Sequence, residues 1–432
     1  MFFSKKKTKR VIVLGLDGFA HLHLCDFIDQ GVMPNLKTLT EQGTLSRMNS
    51  VYPTVSNVAW ASFQTGANPG EFGVFGFAEL DRNLGLFIPN SGDLKTSTLW
   101  ERLSDAGKRV VSLGVPLSFP PKQVNGHIVG GFLAPSLDRA VSDAKLLRTL
   151  RGLDYLVDID PMKARESTDF FKDELHKALA GRRRALEYFF KKETWDLLCM
   201  HVMETDRINH FMWKCLDEGG ADKDFFLDFY RAVDALVGDA MGRCGEQDTL
   251  IVLSDHGFCR IQNTVELNRW LVQEGLLVMA GEPNPMNPFG SVSSTSKALS
   301  LVPGRIHILT PSYWSDGGVS ESDREAVHKD IVSRLQGLKA TNGQAVCKQI
   351  FAKEDIYTGP NMDRAPDIIV DPVEGYDLKA ALSPGDIFAT DVISGMHTYD
   401  DAFLCIRSPS EPDPAGSITE AGKMVEGLVR SS

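Results

Sequence analysis

The chain has 432 residues, enough for a large core and, by length alone, for two or three domains. Its composition, 43% hydrophobic and 24% charged, is that of an ordinary globular protein, and a formal charge of −11 argues against a general nucleic-acid-binding surface. Seven scattered cysteines with no CxxC pair read as reduced thiols, and the basic stretch Met1 to Arg10 precedes an apolar run of only Val11 to Leu16, too short for a signal sequence or a membrane span, so the expected location is the cytoplasm.

Val11 to Leu16 is the first predicted strand, and it stops abruptly in Asp17-Gly18. Next comes Tyr52 to Gly66, where Pro53 sets an extended approach, Ser56 is a good N-cap, and Asn57 to Thr65 form a short helix closed by Gly66. Leu99 to Gly107, Phe170 to Lys192 and Phe225 to Gly242 have apolar positions at helical spacing, with Arg182-Arg-Arg184 expected as a solvated face of the second. Between the last two lies the apolar run within Trp195 to Met203, leading into Glu204-Thr-Asp206. Thr249 to Leu253 follows and ends in Ser254-Asp-His-Gly257.

Apolar runs of this kind suit strands buried on both faces, and their alternation with helices predicts a doubly wound, mostly parallel α/β sheet flanked by helices. A single domain over 1–432 fits better than two. Residues 67–98 and 280–320 break the rhythm, the latter opening on a run rich in Gly, Pro, Asn and Ser, and are expected as inserted cover segments.

Asp17, Asp206 and Asp255 each sit just beyond the carboxyl end of a predicted strand, the edge where open α/β sheets bind ligands. His256 adjoins Asp255. His210 follows Asp206 by one helical turn, so both can address one ion. His397, in the expected flexible turn Ser394-Gly-Met-His-Thr398, is a further candidate. Three Asp and three His make two mixed oxygen and nitrogen ligand sets, suited to Zn2+ and also to Mn2+. Two ions roughly 3.5–4 Å apart can clamp the attacking and leaving oxygens of a phosphoryl group. Ser56, at a helix start that offers amides to an anion, is the candidate nucleophile, with Thr54 as its rival.

The motifs GLDG, PTVSNVAW…TGANPG, TDRINH, SDHGF and SGMH, in that order over residues 11–399, resemble the alkaline phosphatase superfamily, and within it the type I phosphodiesterase/nucleotide pyrophosphatase family. The resemblance implies one metal on Asp206, His210 and His397, and another on Asp17, Asp255 and His256. Ser56 Oγ would bridge toward both and form a covalent phospho-enzyme. The chain departs from the family pattern in three places. Ser56 stands where Thr is usual, Ala59 where nucleotide pyrophosphatases carry a phosphate-contacting Asn, and Phe72 where relatives often carry His.

Other features carry less. His21 and His23 are expected to pack or face solvent, Cys259 to be a buried inert thiol, and Trp60, Phe75, Phe77 and Trp213 to line either a pocket or the core. No Cys-x-Pro-x-Arg sulfatase signature occurs. The sequence thus points to a two-metal hydrolase of small phosphate esters, first a phosphodiesterase or nucleotide pyrophosphatase. The alternatives are a phosphomonoesterase or phosphonate hydrolase on the same metals, or a non-catalytic relative that binds a phosphorylated ligand.

Overall fold

The structure is a computed structural model that describes residues 9–410 and 412–432, so most of the basic start expected from the sequence lies outside the described residues. Its centre is a seven-stranded sheet of β1 (Val11–Leu16), β2 (Thr44–Met48), β3 (Val110–Leu113), β4 (Gly126–Val129), β5 (Leu197–Val202), β6 (Thr249–Leu253) and β7 (Ala402–Arg407). The spatial order is β2-β7-β6-β1-β5-β3-β4. Parallel pairing joins β6, β1, β5, β3 and β4, and β7 runs antiparallel to both β6 and β2. This is the doubly wound, mostly parallel sheet that the apolar runs predict.

The helices that frame the sheet and its carboxyl edge include α1 (Ser56–Thr65), α2 (Thr168–Lys192), α3 (Glu204–Met212), α4 (Ala221–Met241) and α5 (Ile418–Arg430). Strand β1 shows why its sequence is apolar at every position. Ile12, Leu14 and Leu16 face a core shared with α2 and α4, whereas Val11 and Val13 face a second core under α1 and α5. With both faces covered, no position of the strand is left for a polar residue.

Gly15 is the exception in size. A Cβ there would lie 2.1 Å from the Trp60 ring, so the missing side chain is what lets the indole of α1 lie across β1. Gly15→Ala is therefore expected to cost about 1–3 kcal/mol by overpacking, read as a lower urea midpoint.

Residues between β6 and β7 build a smaller layer of two sheets, the first antiparallel and the second mixed. Ala298–Leu301, Arg305–Ile308, Ile368–Pro372 and Cys347–Ala352 form one sheet, and Tyr376–Lys379, Asn263–Glu266 and Phe388–Ala389 another. The two share one apolar core. Arg305, fully buried, donates to Ala78 O (2.7 Å) and lies 3.3 Å from Glu79, which fastens the 67–98 segment to this layer.

Two sequence expectations need correction. His397 is not in a flexible turn: Gly395–Thr398 is a strand paired antiparallel with Gly257–Arg260, because each segment satisfies the other's backbone groups. Nor is Arg182-Arg-Arg184 uniformly solvated. Arg183 and Arg184 are partly exposed, but Arg182 is buried and donates through Nε to both Glu204 oxygens (2.9 and 2.7 Å) and through Nη1 to Tyr155 Oη (2.9 Å). Helical periodicity cannot separate an arginine on the solvated stripe from one at its edge that turns inward to a buried acid. No helix among the described residues is long and apolar enough to cross a membrane, and none of the seven cysteines forms a disulfide.

Candidate active site

The site lies at the carboxyl edge of β1, β5 and β6. Directly after β1 the chain turns at Gly18, whose φ of +63° favours glycine. The turn is pinned from several directions. Gly18 N donates to Asp255 Oδ1 (3.1 Å), Thr205 Oγ1 to Asp17 O (2.7 Å), and Asn209 Nδ2 to Gly18 O (2.8 Å). Tyr230 Oη of α4 in turn donates to Asn209 Oδ1 (2.9 Å). Thr205 and Asn209 of the TDRINH motif are thus the latch that docks α3 against the first turn. The residues next to each of them, Asp206 and His210, are left to face the site.

Six predicted ligands converge. His210 Nε2 and His397 Nε2 are 3.3 and 3.2 Å from Asp206 Oδ1 and 2.9 Å from each other. His256 Nε2 is 3.5 Å from Asp17 Oδ1 and 3.4 Å from Asp255 Oδ2. The His256 and His397 rings stack at 3.7 Å, so His256 stands between the two groups. Two sets of residues among those described have ligand atoms close enough to share an ion: Asp206, His256 and His397, and Asp17, Asp255 and His256.

Ser56 is placed with them, though not as the sequence suggested. Val55 is the N-cap residue and makes no side-chain cap bond, and Ser56 is the first helical residue. Its Oγ is 3.1 Å from Asp17 Oδ1 and 3.3 Å from His256 Nε2. The hydroxyl therefore faces the carboxylates instead of capping its own helix. Thr54 meets the site through its backbone, accepting from His397 Nδ1 (3.1 Å).

The chemistry of the donor set fits cations. His210 donates Nδ1–H to Gly395 O (2.8 Å), His256 to Gly257 O (3.0 Å) and His397 to Thr54 O. A neutral imidazole that donates from Nδ1 presents its Nε2 lone pair, and all three lone pairs aim at carboxylates or at each other. Asp255 Oδ2 is buried with no hydrogen-bond partner. Lone pairs and carboxylates crowded in this way repel unless positive charge lies among them.

The titrating groups of the cluster also pull one another in opposite directions. Burial alone would raise the Asp17 carboxyl, but hydrogen bonds from His201 and His256 outweigh it and hold it below the usual range. Burial, then the neighbouring Asp17, drives Asp255 well up. Burial opposes the charged form of His256, but Asp255 and Asp17 raise it to about 10. Burial and the charge of His256 push His397 down to about 4. Four groups pulled in opposite directions within one cluster mark a functional site.

A cleft opens beside His210 and His397. Its walls include Phe77 from the 67–98 segment, Val302 and Pro303 from the 280–320 segment, and Ile369, Leu378 and Met396. Of the other residues singled out from the sequence, Trp60, Phe75 and Phe72 are fully buried, and His23 packs edge-on against Trp213 (4.3 Å). Cys259 is raised to about 12 by burial, an inert thiol.

Sequence reasoning missed His201. It sits on β5 with Nε2 2.5 Å from Asp17 Oδ2. A histidine inside a strand buried on both faces needs a polar partner, and that was the available signal.

The sequence family that the chain matches makes it a hydrolase of phosphoric esters. The chain belongs to the type I phosphodiesterase/nucleotide pyrophosphatase family, whose sequence profile matches residues 11–400. No curated protein matches it. Among solved structures it is similar to phosphonoacetate hydrolase from Sinorhizobium meliloti 1021 in complex with phosphonoacetate (16% identity, 98% of this chain and 96% of that one, TM-score 0.67). It is also similar to murine ectonucleotide pyrophosphatase/phosphodiesterase 5 (16% identity, 98% and 95%, TM-score 0.58). At these identities the likeness establishes the shared fold.

Proposed function

We propose that the chain is a two-metal phosphodiesterase whose nucleophile is Ser56. The observation that carries this reading is the convergence of Ser56 Oγ, Asp17 and His256 beside the Asp206–His210–His397 cluster at one sheet edge. Divalent ions, Zn2+ or Mn2+, held by Asp206, His210 and His397 and by Asp17, Asp255 and His256, would supply the charge that acidifies the serine and neutralises the phosphoryl oxygens. Ser56 Oγ attacks phosphorus in line, its O–P bond forms as the ester O–P bond breaks, and the serine proton ends on the departing alcohol. Asp17 Oδ1, 3.1 Å away, accepts the hydroxyl hydrogen and holds Oγ in line before attack. Water then cleaves the phosphoserine, releasing a phosphate monoester. The first amides of α1 are available to an anion at this position.

The cleft supports a diester with an apolar substituent. Lys379, its one lysine, is paired with Asp377 (2.8 Å), and Arg207, near Asp206, is paired with Asp158 (2.6 Å). Both cations are thus committed, whereas a monoester dianion calls for a free one. In this reading residues 67–98 and 280–320 cover a single catalytic domain and select the leaving group. The seven unpaired cysteines support a cytoplasmic location.

Hydrolysis of a nitrophenyl phosphate diester and the matching monoester, with Zn2+ or Mn2+ and with chelator, tests the proposal. Chelator-sensitive turnover favouring the diester is expected. Monoester preference would move the assignment to a phosphatase, and turnover unaffected by chelator would overturn the metal reading.

A further inference from the structure

We infer that His201 and Trp60 are positioning residues that make Asp17 a one-oxygen ligand; the inference rests on the metal-site reading above. Both side chains address the same oxygen. His201 Nε2 lies 2.5 Å and Trp60 Nε1 3.1 Å from Asp17 Oδ2, and all three residues are buried. The other oxygen, Oδ1, is the one near Ser56 Oγ and His256 Nε2. With one oxygen held by two donors, the carboxylate cannot swing to offer both. Its free oxygen is fixed toward the nucleophile and the ion that Asp17, Asp255 and His256 would hold.

The surroundings are built for this grip. His201 alternates with Met200 and Val202 on β5, so it shares the α1 side of the sheet with Leu197 and Cys199. It pairs in register with Gly15 of β1, the position whose missing side chain admits the Trp60 ring. The indole fills that gap and meets the imidazole edge-on at 4.9 Å and 84°. His201 Nδ1 is buried without a hydrogen-bond partner, so the ring needs one proton and has use for it only at Nε2, facing Asp17. An alanine at 15, a leucine at 201 or a phenylalanine at 60 would each preserve an apolar interior. The residues present are instead the ones that deliver two N–H groups to one carboxylate oxygen. Outer partners of this kind orient a ligand and tune the metal it holds.

Cobalt titration tests the inference without relying on turnover. Wild-type protein, stripped of metal, is expected to take up two equivalents of Co2+ with visible ligand-field absorption. His201→Leu should weaken one of the two equivalents by roughly 10- to 100-fold and alter its spectrum, leaving the other unchanged. His201→Gln, whose amide N–H can reach the same oxygen, should restore most of the affinity. Wild-type affinity and spectrum in folded His201→Leu would overturn the assignment, as would a His201→Gln variant no better than His201→Leu. If His201→Leu does not fold, Trp60→Phe removes the other donor and keeps an aromatic ring. A several-fold loss of one equivalent then supports the inference, and unchanged binding overturns it. Wild-type protein that binds two Co2+ but cleaves no ester would sink the phosphodiesterase reading alone. Wild-type protein that binds none would overturn both.

Discussion

Ser56→Ala is expected to lower turnover of a phosphodiester by on the order of 10³-fold or more, while uptake of two metal equivalents stays near wild type. The reasoning is geometric. Ser56 Oγ is the hydroxyl placed among the carboxylates, and removing one oxygen from a helix anchored by Trp60 and Phe63 in the core costs only its contacts with Asp17 and His256 and leaves all six Asp and His side chains present. What remains would be charge stabilisation without a nucleophile. Rapid quench with a radiolabelled diester should trap a phospho-protein in the wild type and none in the variant. Full activity in Ser56→Ala would end the assignment and turn attention to Thr54, whose backbone already touches His397.

Arg182→Met should be the most destabilising single change outside the site, at about 3–5 kcal/mol out of a total of about 5–15 kcal/mol. Its guanidinium and the Glu204 carboxylate are both about 1% exposed. Removing the cation strands an acid in a dry interior. Glu204 is also the first residue of α3, the helix that carries Asp206 and His210, so the loss is delivered to the element that presents two candidate ligands. Urea denaturation should show a lower midpoint for Arg182→Met, and the double variant Arg182→Met/Glu204→Leu should recover a large part of the difference. A midpoint within error of wild type would mean that the pair contributes nothing beyond filling space.

Much of the site was legible because its residues obey local rules. Asp17, Asp206 and Asp255 follow apolar runs that end abruptly, and His210 stands one turn from Asp206, so strand ends and helical spacing place them without tertiary knowledge. The rest depends on partners remote in sequence. His397 occupies a strand only because Gly257–Arg260 lies beside it. Ser56 is the first helical residue and not the cap, since Val55 is the last extended residue, and its hydroxyl turns to Asp17 of a remote strand end. His201 looks like an irregularity in an apolar strand until the carboxylate of β1 is brought alongside. The smaller layer between β6 and β7 is similarly hard to read, since most of its short strands pair across long connections.

The position of β7 has a consequence for synthesis. This strand is the last of the sheet to be made, yet it inserts between β2 and β6, and β2 has no other neighbour in the sheet. A nascent chain that has emerged as far as Gly257–Arg260 already carries Asp17, Ser56, Asp206, His210, Asp255 and His256, but neither His397 nor the strand that closes the sheet. Pairing across such separations is slow because chain entropy must be lost before the contacts form. The candidate centre is therefore completed only when Gly395–Thr398 and β7 dock on elements made well before them, and a chain broken off ahead of His397 would keep Ser56 but lack the sixth candidate ligand.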